Sequence, residues 1–112
     1  MSRYELYLND ILRAIEKIED SLKNKNETLF IKDNDLIDAS CMRLQIIGES
    51  ANKIPKEIKK KYKDINWERL SKLRNIISHA YFKINSKLIW SIIQHDIPTL
   101  KNQIQKIKEK NE

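Results

Sequence analysis

The sequence predicts an all-α fold, an antiparallel bundle of four or five helices that dimerises. One glycine (Gly48) and two prolines (Pro55, Pro98) leave almost none of the punctuation that hairpins and tight turns require. Apolar residues recur at three- and four-residue steps through most of the chain, the period of a buried helix face. The 112 residues suit a single domain, 1–112, with a short, charged, frayed tail from about residue 108.

The first helix is expected from about Ser2 to Lys23, with Tyr4, Leu8, Ile11, Leu12, Ile15, Ile18 and Leu22 on one face. Ser2 and Glu5 have the spacing of a capping box. Asn24 to Glu27 breaks the pattern and reads as a loop. A second helix starts at Asp33 to Asp35, either of which can cap it, and carries an apolar arc of Ile37, Cys41, Leu44, Ile47, Gly48 and Ala51. Gly48 within that arc lets another helix approach closely. A second stripe, Met42, Ile46 and Glu49, lies on a different face and is either a partner surface or simply exposed.

Pro55 opens a short third helix, where its missing N–H costs nothing. Lys56, Lys59, Lys60, Lys61 and Lys63 make this region either a solvated connector or a rim that attracts phosphate. The fourth helix runs from an Asn66 cap to about Tyr81. The fifth, capped by Asn85 or Ser86, continues to about Lys108 along Leu88, Ile89, Ile92, Ile93, Ile97, Leu100, Ile104 and Ile107. Pro98 inside it is expected to kink the helix and free the Gln94 carbonyl.

The formal charge is +6, from 22 Lys and Arg against 16 Asp and Glu, which favours polyanionic partners, nucleic acid first. Cys41 is the only cysteine, so no disulfide can form within the chain, and a reducing cytoplasm is the expected location. No apolar run reaches the ~18 residues of a membrane span. A single glycine excludes Gly-rich phosphate loops. Two histidines and one cysteine without recognisable ligand spacing argue against a metal site.

The candidate chemistry lies in Arg74-Asn75-Ile76-Ile77-Ser78-His79-Ala80-Tyr81. Arg grips phosphate in fixed geometry, His moves protons near neutral pH, Asn orients, and Tyr offers a hydroxyl. With Arg74 at the origin of a helical wheel, Ser78 falls at about 40°, Asn75 at about 100° and His79 at about 140°. Tyr81 falls about 20° to the other side of Arg74. Leu70, Leu73, Ile76, Ile77 and Ala80 occupy the opposite side, between about 200° and about 320°. Arg74 and His79 are therefore about 140° apart on a straight helix and do not aim at one atom unaided. Either the helix ends near His79 and re-aims it, or two chains pair their polar faces across a two-fold axis; the second is preferred, with some of the first. Glu49 orients Arg74 or His79 across the bundle, or is a solvated glutamate. His95 and Asp96, adjacent and so divergent on a helix, read as structural or exposed. Trp67 and Trp90 read as core or interface, and Lys101 to Lys110 as a solvated face.

The run Arg74-Asn75-(x)3-His79-x-Tyr81-Phe82 resembles the signature of HEPN-type toxins of HEPN/MNT toxin–antitoxin systems. Ile47-Gly48-Glu49-Ser50-Ala51-Asn52 resembles that family's Gly-Glu-Ala-Ala segment, and Asp64-Ile65-Asn66-Trp67 its Ile-Pro-Trp lead-in. His95-Asp96-Ile97-Pro98-Thr99-Leu100 is similar to its closing Asp-Leu-Pro-x-Leu stretch. Ser50 stands where the family has alanine and Asn66 where it has proline. The resemblance implies a dimeric helical bundle and a metal-independent endoribonuclease, with Arg74 and His79 catalytic and Asn75 the polar residue after the arginine. Ser78 and Glu49 are added here as supporting residues. It further implies a cognate nucleotidyltransferase antitoxin that uses ATP to place AMP on Tyr81, with no cofactor in this chain. His79 near a helix C-terminus suits an acid or electrostatic role better than a base; the two roles stay unassigned. Two other classes are open: a non-catalytic nucleotide- or RNA-binding module, and a docking partner of a nucleotidyltransferase.

Overall fold

In the computed structural model, which describes residues 2–110, helices begin where side chains can cap their free N–H groups. Ser2 Oγ accepts from the Glu5 N–H and opens α1 (Arg3–Ser21). Asp33 Oδ1 accepts from Leu36 N–H at 3.0 Å and opens α3 (Asn34–Asn52). Asn66 caps α5 (Trp67–Phe82) through Arg69 N–H, and Asn85 rather than Ser86 caps α6 (Ser86–Lys110) through Leu88 N–H. Two short helices complete the set, α2 (Glu27–Lys32) and α4 (Lys56–Lys61). Among the described residues there is no strand, as the all-α reading expects.

The expected loop after the first helix gives way to α2. Asn24 turns the chain in the left-handed region (φ 61°), and Asn26 Oδ1 then caps a helix of 6 residues. So short a helix offers no periodicity to read. Phe30 fixes it instead, fully buried with its ring 5.2 Å from that of Trp90. α6 carries on to Lys110, close to the expected end at about Lys108, with Ile104 and Ile107 still buried. Asn111 and Glu112 of the expected tail lie outside the described residues. α6 also continues through Pro98, and Gln94 and Pro98 are both exposed, so the carbonyl that proline frees lies on the solvent side.

α3 is the central element, packed against α1 on one side and α5 on the other. Leu44, Ile47 and Ala51 of α3 meet Leu8, Ile11, Ile15 and Ile18 of α1 and Leu70, Leu73, Ile77 and Ala80 of α5 in one continuous core. α6 closes the bundle with Ile89, Ile92, Ile97, Leu100 and Ile104. The expected buried face of the fourth helix is present, except that Ile76 is only half-buried. Gly48 does what its place in the arc implies. A Cβ there would stand 3.1 Å from Arg74 Cγ, 3.4 Å from the Arg74 backbone nitrogen and 3.4 Å from Leu73 Cβ. Bare backbone at this point lets α3 and α5 come together. Gly48→Leu is expected to wedge the two helices apart and cost about 1–3 kcal/mol, read as a lowered denaturation midpoint in urea.

Candidate functional site

α5 carries its apolar row into the core and turns the rest of its circumference outward. The two faces of the sequence motif therefore separate as the helical wheel requires: Leu70, Leu73, Ile77 and Ala80 are buried, whereas Arg74, Asn75, His79 and Tyr81 are exposed and Ser78 is half-buried. The edge of the exposed arc that lies against α3 forms a set of polar rungs. Arg74 Nη1 stands 2.7 Å from Glu49 Oε2. Gln45 Nε2 donates to Ser78 Oγ at 3.2 Å. The Tyr81 hydroxyl hydrogen-bonds to the Asp38 carboxylate. Numbers rise along α3 (38, 45, 49) as they fall along α5 (81, 78, 74), so the helices are antiparallel and the rungs follow their line of contact.

The structure thus joins Glu49 to Arg74, one of the two partners considered for it. Asn75 and His79 lie farther round α5, one turn apart and exposed. Arg74 and His79 are not brought onto one point. Nor does the helix end at His79, because α5 runs on to Phe82 and the His79 carbonyl accepts the capping Lys83 N–H at 3.0 Å. Re-aiming of His79 by a helix end is therefore removed as a remedy for the angular gap. The lysine-rich α4 leads into the N-terminal end of α5, the end away from His79. Two of its lysines cover aromatic rings, Lys59 over Trp67 and Lys61 over Tyr62.

Sequence reasoning missed Asp38 and Gln45. The signal was present: with Met42 and Glu49 they repeat at steps of four, three and four, which is one stripe of α3. Asp38 shapes the chemistry around it. Its hydrogen bond and its negative charge raise the Tyr81 phenol above its ordinary value. Burial, with Asp38 adding, pushes the Cys41 thiol up to about 11. Cys41 is therefore protonated at neutral pH and is not a nucleophile. The His95 ring, exposed, meets the Ser91 carbonyl at 2.9 Å, and Asp96 pairs with Arg69. Trp67 and Trp90 are half-buried, with Trp67 Nε1 donating to the Tyr62 carbonyl at 2.9 Å. Among the described residues no group of three His, Cys, Asp or Glu side chains is placed to hold a metal ion. Among the same residues no helix is long and apolar enough to cross a membrane.

An arginine anchored by a carboxylate and a histidine one to two turns on, both at the surface of one helix, are groups that bind phosphate and move protons. Residues 11–107 match the model of the family described as Ribonuclease HepT-like. The chain belongs to the HepT-like ribonuclease family. It is 33% identical over 103 residues to "Probable ribonuclease HepT" of Thermococcus cleftensis, a match that covers 92% of this chain and 94% of that one. It is 40% identical over 105 residues to a Methanocaldococcus jannaschii protein whose name joins gamma-glutamylcyclotransferase to an RNase assignment. That match covers 94% of this chain but only 47% of the relative, so the chain spans about half of that protein's length. No solved structure matches the chain.

The raised Cys41 thiol gives a direct check on this side of the HepT-like bundle. A thiol that titrates near 11 is almost wholly protonated at pH 8, and unfolding returns it toward its ordinary value of 9.0. Iodoacetamide at pH 8 is expected to modify the folded protein far more slowly than the protein in denaturant, with the folded-state rate rising toward pH 11, as read by intact mass.

Proposed function

We propose that this chain is the toxin of a type VII-like toxin–antitoxin pair: a metal-independent endoribonuclease that acts as a homodimer in the cytoplasm. The observation that carries the reading is the display of Arg74 and His79 on the solvent arc of α5, with Glu49 anchoring Arg74, in a chain of a ribonuclease family. RNA supplies the nucleophile. The 2′-oxygen attacks the adjacent phosphorus while its proton passes to a base, a bond to phosphorus forms, and the bond to the 5′-oxygen breaks as that oxygen takes a proton from an acid. The products are a 2′,3′-cyclic phosphate and a 5′-hydroxyl. Arg74 holds two phosphate oxygens and meets the charge that builds on the phosphorane. His79 handles one proton. Asn75, one turn from His79, orients the phosphate or the imidazole.

Each chain brings one motif histidine, and a two-fold pair brings two. Met42 and Ile46 support such a pairing, since they are 61% and 41% exposed on α3, beside the rungs that hold Arg74 and Ser78. Facing copies would place Arg74, Asn75 and His79 of both chains along one cleft. His79→Ala is expected to lose about 10²–10⁴-fold in cleavage rate and, when expressed, to relieve growth arrest caused by the wild type. A substrate with 2′-deoxy at the scissile nucleotide should remain uncut; continued cleavage of it, or full activity of His79→Ala, would reject the mechanism.

Silencing is proposed to run through Tyr81. A partner nucleotidyltransferase directs the phenolic oxygen to the α-phosphorus of ATP; pyrophosphate leaves and the phenolic proton is released. Tyr81 supports this role by being 42% exposed at the end of the rungs, seven residues and about 10 Å along the helix from Arg74. The added phosphodiester would compete for the guanidinium and fill the approach to it. Co-expression with the partner is expected to add AMP units to the wild type and none to Tyr81→Phe, read by intact-protein mass spectrometry. Equal increments on both proteins would remove Tyr81 as the acceptor.

A further inference from the structure

Phe82 is 82% exposed, whereas Phe30 and Tyr62 are buried and Trp67 and Trp90 are half-buried. Exposed apolar side chains are ordinary on a protein surface, and Ile84 and Met42 are others on this side of the molecule. The position of Phe82 is not ordinary. Eight residues beyond Arg74, it falls at about 80° on the helical wheel, between Ser78 at about 40° and His79 at about 140°. It is thus the apolar residue in the middle of the polar arc, about 4.5 Å along the axis beyond His79 and about 12 Å beyond Arg74. The Tyr81 ring stands T-shaped to it at 5.6 Å and 89°. Phe82 also lines a cleft of about 360 Å³ between α3 and α5, with Asp38, Cys41, Met42, Gln45, Ser78 and Tyr81. Lys83 follows it at the helix cap, and Ile84 then turns the chain with φ 57°.

We propose that Phe82 is a base-stacking platform of the RNA site, seating a nucleobase next to the phosphate that Arg74 grips. The proposal rests on the ribonuclease reading of α5. Aromatic rings hold single-stranded nucleic acid by stacking, tolerate any base because every base has a π-face, and work beside cations that track the backbone. Phe82 meets each requirement: an exposed ring in contact with a second ring, Lys83 next to it in sequence, and Arg74 and His79 on the same arc. A contact with another protein would use the same exposed ring, and the ring's place between Ser78 and His79, in a chain of net charge +6, favours RNA.

The test compares Phe82, Phe82→Leu and Phe82→Trp in the His79→Ala protein, which keeps the oligonucleotide intact. Binding of a fluorescein-labelled single-stranded oligoribonucleotide is read by anisotropy, and oligomeric state by sedimentation. Phe82→Leu is expected to weaken binding by about 5- to 150-fold, and Phe82→Trp to hold it within a few-fold. An oligonucleotide made abasic at one position in turn should show one position at which the Phe82 protein loses as much, and at which Phe82→Leu adds no further loss. Unchanged affinity of Phe82→Leu, or equal losses at every abasic position, overturns the platform. So does a Phe82→Leu protein that changes oligomeric state while binding RNA as before, which would assign the ring to a protein contact. Cleavage by the His79 protein is scored separately. Phe82-dependent binding without cleavage overturns the ribonuclease reading and leaves the platform standing.

Discussion

The approach of α3 to α5 at Gly48 is the constraint on which the rest of the site depends. Helix axes normally lie about 8–10 Å apart, set by the side chains between them. At Gly48 there is no side chain, and the Arg74 stem and Leu73 occupy the space a Cβ would take. Once the helices touch there in antiparallel sense, residues at three- and four-residue steps along their seam must face one another. Glu49 meets Arg74, Gln45 meets Ser78, and Asp38 meets Tyr81. Exposed pairs of this kind contribute only about 0–1 kcal/mol each. The apolar rows beneath hold the helices together, and the rungs set the directions of Arg74, Ser78 and Tyr81.

The seam also sorts charge. α3 contributes carboxylates, Asp38 and Glu49, and α5 contributes the guanidinium and the phenol. A guanidinium has five N–H donors in a planar fork, so it can keep a carboxylate at one edge while a phosphate approaches another. Glu49 then serves to hold Arg74 in one direction, at the cost of a negative charge near the proposed substrate. Asp38 raises the Tyr81 phenol, and burial, with Asp38 adding, raises the Cys41 thiol.

What could be read from the sequence follows from the range over which its signals act. The four long helices declare themselves by repeated apolar spacing and by the caps Ser2, Asp33, Asn66 and Asn85, all local features. The division of α5 into a buried and a polar side is likewise a property of one helix. The helix Glu27–Lys32 was not legible, because 6 residues hold too little of a period and its anchor, Phe30, packs on a ring far along the chain. Glu49 was legible as a candidate and its partner was not, since choosing between Arg74 and His79 requires the register of α3 on α5. Asp38 and Gln45 lacked any chemical signature until that register placed them opposite Tyr81 and Ser78.

The same register bears on the angular gap between Arg74 and His79. α5 remains helical to Phe82, so the two side chains keep the separation of roughly 140° that five residues impose. Arg74 is turned toward the α3 edge and His79 toward the far edge of the exposed arc. A phosphodiester lying on one copy could meet either side chain at one end, but two-sided proton transfer needs groups on both sides of the phosphorus. The proposed two-fold pairing would supply this by symmetry if the far edge of one arc faced the near edge of the other, His79 of one copy then coming opposite Arg74 of its partner. The unbroken helix thus supports the pairing, because a helix that cannot bend its histidine back toward its arginine is best completed by a second helix of the same kind.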